Sequence, residues 1–218
     1  MGPKELIPIL AEMFGVPFET AWVLDRALAD KGLRTKSKGR KPLPMSRRDA
    51  IHFLLACMSA QTATRASEDV EYWASFTWKP NDPHCEEVGT GDPDEELFKR
   101  YPRGYKEHIV EPAISSGMDG EIHLVDYLLL LTRWLAAHGP DAADVKFQIV
   151  TTHESAAVHY ELQGFGEVHV DHFFRPRGLA GRQSADVETG IYKGAYIYGN
   201  PLLAIAARTD DPLAEASA

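Results

Sequence analysis

The sequence predicts an α+β protein, in which a helical first part is followed by a helix packed on an antiparallel β-sheet. Three observations predict it. Residues 1–65 carry apolar side chains at helical spacing, residues 121–138 form one long broad apolar stripe, and beyond Gly139-Pro140 the apolar period changes to two. With 218 residues and 44% hydrophobic composition, the chain can bury a core without staples.

Leu6, Leu10 and Met13 fall at i, i+4, i+7 behind Pro3, which predicts a first helix. Gly15-Val16-Pro17 breaks it. A second helix is expected from about Pro17 to Lys31, with Leu24, Ala27 and Leu28 as its stripe and Gly32 as its stop. Ser46 with Asp49 three residues on forms a shortened capping box. A third helix follows, with Ile51, Leu54, Leu55 and Met58 facing the core.

Five prolines between Pro80 and Pro112 forbid long helices, and Glu86-Glu87 to Glu95-Glu96 is acidic and rich in Gly and Pro. This reads as an exposed connector. The next helix is Glu121 to His138. It is expected in the core or as half of a homodimer interface. Strands are expected at 145–149, 156–162, 167–173 and 190–198, with a short helix from Pro201 to Ala207 and a fraying acidic tail. The division is therefore 1–66 as a helical module, 67–120 as a connector and 121–218 as an α+β domain.

Charge is uneven. The net charge of −9 divides into +5 over residues 1–65 and −14 over the remainder. Lys31, Arg34, Lys36, Lys38, Arg40, Lys41, Arg47 and Arg48 lie within 18 residues that contain no acid. Such a run repels itself unless a counter-charge meets it. A polyanion is the simplest partner, and a solvated loop is the alternative. Two cysteines, Cys57 and Cys85, exclude a disulfide framework. No apolar run reaches the length of a bilayer span, and the N-terminus lacks a signal-peptide pattern. A soluble, cytoplasmic protein is the expectation.

The segment Leu10-Ala11-Glu12-Met13-Phe14-Gly15-Val16, with a helix behind it, resembles the helix-turn-helix of transcription regulators. Ala11 is small where two crossing helices approach, and Gly15 permits a tight turn. Leu33 to Pro42 resembles the hairpin of a winged-helix domain. The wider pattern, Asp25-Arg26-Ala27-Leu28, Gly32-Leu33-Arg34, a basic Gly loop, then Asp49-Ala50 and Leu54-Leu55-Ala56, is similar to small regulatory proteins of phages and prophages.

The resemblance implies a winged-helix-like module that binds double-stranded DNA as a transcriptional regulator. Its groove-facing positions would be Pro17, Phe18, Glu19, Trp22, Val23 and Arg26. Arg26 is the good base reader among them, and Phe18 and Trp22 are more natural as packing residues. Phosphates would be met by Arg34, Lys36, Lys38, Arg40, Lys41, Arg47 and Arg48. One departure is Ala21, where the family has Ile or Val. The alternative function is a protein-interaction or inhibitor protein whose acidic C-terminal domain engages a basic partner.

An enzyme is not expected. His153, His159, His169 and His172 fall among acidic residues in the strand region. No His-x-His or Cys-x-x-Cys pair exists, and His172 alternates away from His169 and Asp171, so neither a metal nor another cofactor is expected. His84-Cys85 are adjacent, which rarely orients a nucleophile and its base. The Arg177 to Arg182 glycines do not match a phosphate loop.

Overall fold

The structure, a computed structural model, describes residues 1–36, 43–60, 62–79, 86–90, 121–138, 145–150, 155–161, 168–174 and 194–209. At 86–90, 138, 145, 155, 160–161, 168–173, 194, 196 and 198–200 the description is of backbone path and pairing. The described residues form six helices and two antiparallel sheets, so the protein is α+β.

Helix α1, Pro3–Met13, buries Leu6, Ile7, Leu10 and Ala11. Met13, expected on this stripe, faces outward instead, because Ala11 takes the buried position beside Leu10. Gly15 adopts φ +64, the left-handed region that lets the chain turn sharply, and the Val16 amide donates back to the Ala11 carbonyl at 2.9 Å. Helix α2, Phe18–Lys31, buries Ala21, Leu24 and Leu28 and stops at Gly32, with φ +79. Helix α3, Arg47–Ser59, starts on a closed capping box. The Asp49 amide donates to Ser46 Oγ at 3.1 Å, and the Ser46 amide donates to Asp49 Oδ2 at 3.0 Å. Ala50, Ile51, Phe53, Leu54, Leu55 and Ala56 are all buried, so α3 is packed well beyond one stripe, with Arg48 left exposed.

The stretch expected as an acidic connector contributes regular structure. Residues 66–74 form helix α4, Ala66–Ala74, which buries Val70 and Trp73. Strand β1, Thr77–Trp78, pairs with β3, Ile122–His123, in a two-stranded sheet. That pairing explains why helix α5, Leu124–His138, begins three residues later than expected: Ile122 and His123 are spent on the ladder, and the Leu124 amide donates to the Phe76 carbonyl at 2.8 Å. Strand β2, Glu86–Thr90, lies at one edge of the main sheet. Strand pairing is a backbone interaction, so acidic side chains do not prevent it where an unpaired edge is available.

The main sheet has the order β2-β6-β5-β4-β7, with every adjacent pair antiparallel. Its other strands are β4 (Val145–Val150), β5 (Ser155–Glu161), β6 (Val168–Phe174) and β7 (Gly194–Tyr198), followed by helix α6, Gly199–Arg208. One face carries buried Phe147, Ile149, Ala156, Val158, Phe174 and Ile197. Helix α5 reaches this face through Tyr127, whose ring stands edge-on to Phe174 at 4.8 Å and to Trp78 at 5.2 Å. The buried residues of α1 to α4 and those of α5, α6 and the sheet belong to one continuous hydrophobic cluster, with α3 between them. Among the described residues no helix is long and apolar enough to cross a membrane.

Candidate nucleic-acid interface

Helix α2 has one buried strip and one open strip. Of the six groove-facing positions expected by resemblance, Pro17, Phe18, Glu19, Val23 and Arg26 are exposed and Trp22 is half-buried. Phe18 and Val23 are 47% and 48% exposed. The Phe18 ring packs edge-on against Trp22 at 5.6 Å, and Trp22 in turn packs against the core.

Between α2 and α3 the basic stretch is described at its two ends. Lys38, Arg40 and Lys41 lie outside the described residues. The ends are tied down by Asp49, whose Oδ1 accepts from the Thr35 amide at 2.9 Å while Oδ2 accepts from the Ser46 amide. One carboxylate at the start of α3 thus holds both stems of the basic loop. The Met45 amide adds a bond to the Met1 carbonyl at 3.0 Å. His52, one turn into α3, places Nδ1 2.6 Å from the Leu33 carbonyl, which requires the proton on Nδ1. The capping role of Asp49 was legible in Ser46-x-x-Asp49. Its reach to Thr35 and the role of His52 were not.

Burial lowers the His52 pKa, against the opposing pull of the Leu33 carbonyl. The folded protein therefore binds fewer protons at His52 than the unfolded chain does. The neutral imidazole contributes stability above the unfolded value near 6.5, and this is lost as pH falls towards the folded pKa. Thermal midpoints measured between about pH 7.5 and pH 5 should fall on the acid side, and His52→Gln should flatten that dependence. Parallel curves for the two proteins would show that His52 does not set it.

The other expected phosphate contacts are differently placed. Arg34 Nε lies 2.5 Å from Asp25 Oδ1, and Asp25 is buried. Burial pushes the Asp25 carboxyl up from its ordinary range, against the pull of Arg34. Lys36 meets Asp30 at 2.8 Å on the surface and holds that carboxyl below its usual range. Arg48 Nη2 lies 2.5 Å from Asp126 in the first turn of α5. These partners lower the free positive charge of the stretch. The exposed Lys36 pair is weak and screened by salt, so a phosphate can compete for it.

Arg47 departs from the expectation most clearly. It is 6% exposed, and its Nη2 donates to the carbonyls of Ala206, at 3.1 Å, and Thr209, at 3.5 Å. The N-terminus of its own helix disfavours a cation, whereas the C-terminal end of α6 presents unpaired carbonyls and the negative end of a helix dipole. Arg47 is thus a buried bridge between α3 and α6, and it does not belong to a phosphate-binding surface.

The remaining chemistry-bearing groups divide simply. Burial pushes the Cys57 thiol up to about 12, so it is no nucleophile near neutral pH. His84, Cys85, His153, the Arg175 to Arg182 loop and the acidic tail lie outside the described residues. Among the residues whose side chains are described, no three His, Cys, Asp or Glu gather as a metal site. His159 lies on β5, and His169 and His172 lie on β6. No protein-family model matches this chain, and no curated protein or solved structure matches it either.

Proposed function

We propose that the protein binds double-stranded DNA through the α1–turn–α2 pair, as a winged helix-turn-helix-like transcriptional regulator. The observation that carries this reading is the open strip of α2, with Arg26 exposed on it, beside a basic stretch whose stems are fixed by Asp49. Anchored stems limit the conformational entropy lost when the loop meets a phosphate backbone. Arg26 is the candidate base reader, and Lys36, Lys38, Arg40 and Lys41 are the candidate phosphate contacts. The C-terminal part, with its acidic balance, faces away from the duplex and supplies a dimer contact or a protein partner.

Binding to a labelled duplex over a range of salt tests this. If four or five basic residues reach phosphates, log K should fall against log salt with a slope of roughly −4. Changing Lys36, Lys38, Arg40 and Lys41 together to Ala should weaken binding to all sequences and flatten the slope by about 3. Arg26→Ala should instead relax preference at one base pair, at a cost of about 1–3 kcal/mol. Equal affinity and equal slope for wild type and the four-fold variant would sink the DNA reading.

A protein-interaction function is the second reading, favoured by one observation. Met13, Phe18 and Val23 are exposed apolar side chains near the same helix pair, and apolar exposure suits a protein partner better than a phosphate backbone.

A further inference from the structure

The open strip of α2 is self-complementary in charge. Glu19, Trp22, Val23 and Arg26 stand at i, i+3, i+4 and i+7, so they share one side of the helix. Ala21, Leu24, Asp25 and Leu28 are buried on the opposite side. Glu19, Val23 and Arg26 are exposed, and Trp22 is half-buried. The strip thus carries a carboxylate at one end, a guanidinium at the other and two large apolar side chains between them. Phe18, 47% exposed and edge-on to Trp22, widens the apolar middle. Asp30, one turn beyond Arg26, is taken up by Lys36 at 2.8 Å, which leaves this order of charges intact.

We propose that this strip docks on the same strip of a second copy of the chain, with the two α2 helices antiparallel across a two-fold axis, and that the dimer withholds α2 from DNA. In a two-fold contact, residue i meets j wherever j meets i. With the axis between Trp22 and Val23, Trp22 of each copy faces Val23 of the other, and Glu19 of each faces Arg26 of the other. Two ion pairs then flank an apolar centre. A parallel arrangement would set Glu19 against Glu19 and Arg26 against Arg26, so charge selects the antiparallel one. The regulatory half of the proposal rests on the DNA reading of α2, whereas the pairing itself does not.

A second copy accounts for side chains that a duplex does not. Phosphate repels Glu19, and the exposed apolar surface of Phe18 and Val23 finds a matching surface only in protein. The strip is also short. The 14 residues of α2 extend over about 21 Å. One helix pair of that length covers much less than the roughly 1,600 Å² of a standard stable interface, so a weak dimer is expected, with Kd about 10–100 μM. A duplex held by several phosphate contacts can displace a partner bound this weakly.

Sedimentation of the full-length protein without DNA, over a concentration series spanning that range, tests the pairing. Val23→Asp, at an exposed position, should weaken association about ten-fold or more, because it places a carboxylate in the apolar centre. Glu19→Arg and Arg26→Glu should each weaken it about ten-fold, because two attractive pairs become two repulsive ones. Mixed in equal amounts, these two variants should associate to within about three-fold of wild type, since every cation then faces a carboxylate. Misfolded variants would not recover on mixing. Adding a duplex to the wild-type protein should dissociate the dimer. A wild-type chain that stays monomeric throughout, single reversals that associate like wild type, or a mixture that fails to recover would each overturn the pairing. A duplex bound to the intact α2 dimer would overturn the regulation. If no duplex binds at all, the DNA reading falls with the regulation, and the mixture of variants still decides the pairing.

Discussion

Tyr127→Ala should cost about 3–5 kcal/mol of folding stability, a large share of the roughly 5–15 kcal/mol typical of a whole domain. Tyr127 is fully buried, and its ring is wedged between Trp78 of β1 and Phe174 of β6, both of them also fully buried. No neighbouring element can close the gap, because each of the three aromatics belongs to a different element. The lost ring therefore leaves a cavity as well as forfeiting its own transfer energy. Tyr127→Phe keeps the ring and should cost about 1 kcal/mol.

Denaturant melts followed by far-ultraviolet circular dichroism and by tryptophan fluorescence check both values. Because one hydrophobic cluster joins α1 to α4 with α5 and the sheet, the two probes should move together in Tyr127→Ala. A variant in which helical signal survives long after the fluorescence transition would show that the N-terminal helices are held independently of Tyr127.

Arg47→Ala should be the second costly change, at about 3 kcal/mol. The substitution removes a charged donor from the Ala206 and Thr209 carbonyls in a nearly solvent-free position and leaves the end of α6 without its counter-charge. Arg47→Lys keeps the charge but loses the planar fork, so an intermediate loss is expected. The same variants separate structure from recognition. Arg47→Ala should lower the thermal midpoint while leaving the salt slope of duplex binding by the folded protein unchanged. A flatter slope with an unchanged midpoint would instead return Arg47 to the phosphate-contacting set.

The local architecture was legible because it depends on local rules. The α1–α2 turn follows from a glycine that can take positive φ, and the start of α3 follows from Ser46 and Asp49 three residues apart. Strands β4 to β7 follow from an alternation that puts Phe147, Ile149 and Val158 on one face. Helix α4 was missed because Val70 and Trp73 supply too few apolar positions to set a period against the prolines that follow. Strand β2 was missed because Glu86 and Glu87 have the composition of a loop, and only the free edge of β6 makes them a strand.

The amino-acid sequence by itself determined where the N-terminal helices and later strands lie, the apolar stripes of Leu6 and Leu10 in α1 and of Leu24 and Leu28 in α2, and how unevenly the charge is placed. Each of these follows from spacing along the chain. What the charges do was decided by tertiary structure. Spacing could not reveal that Arg47 would reach the far end of α6, that Arg48 would meet Asp126, or that Asp49 would hold both stems of the basic loop. Nor could it reveal that His159 would stand opposite Asp171. Partners of this kind are chosen by packing and by strand register. A shift of a single residue would have set different groups side by side.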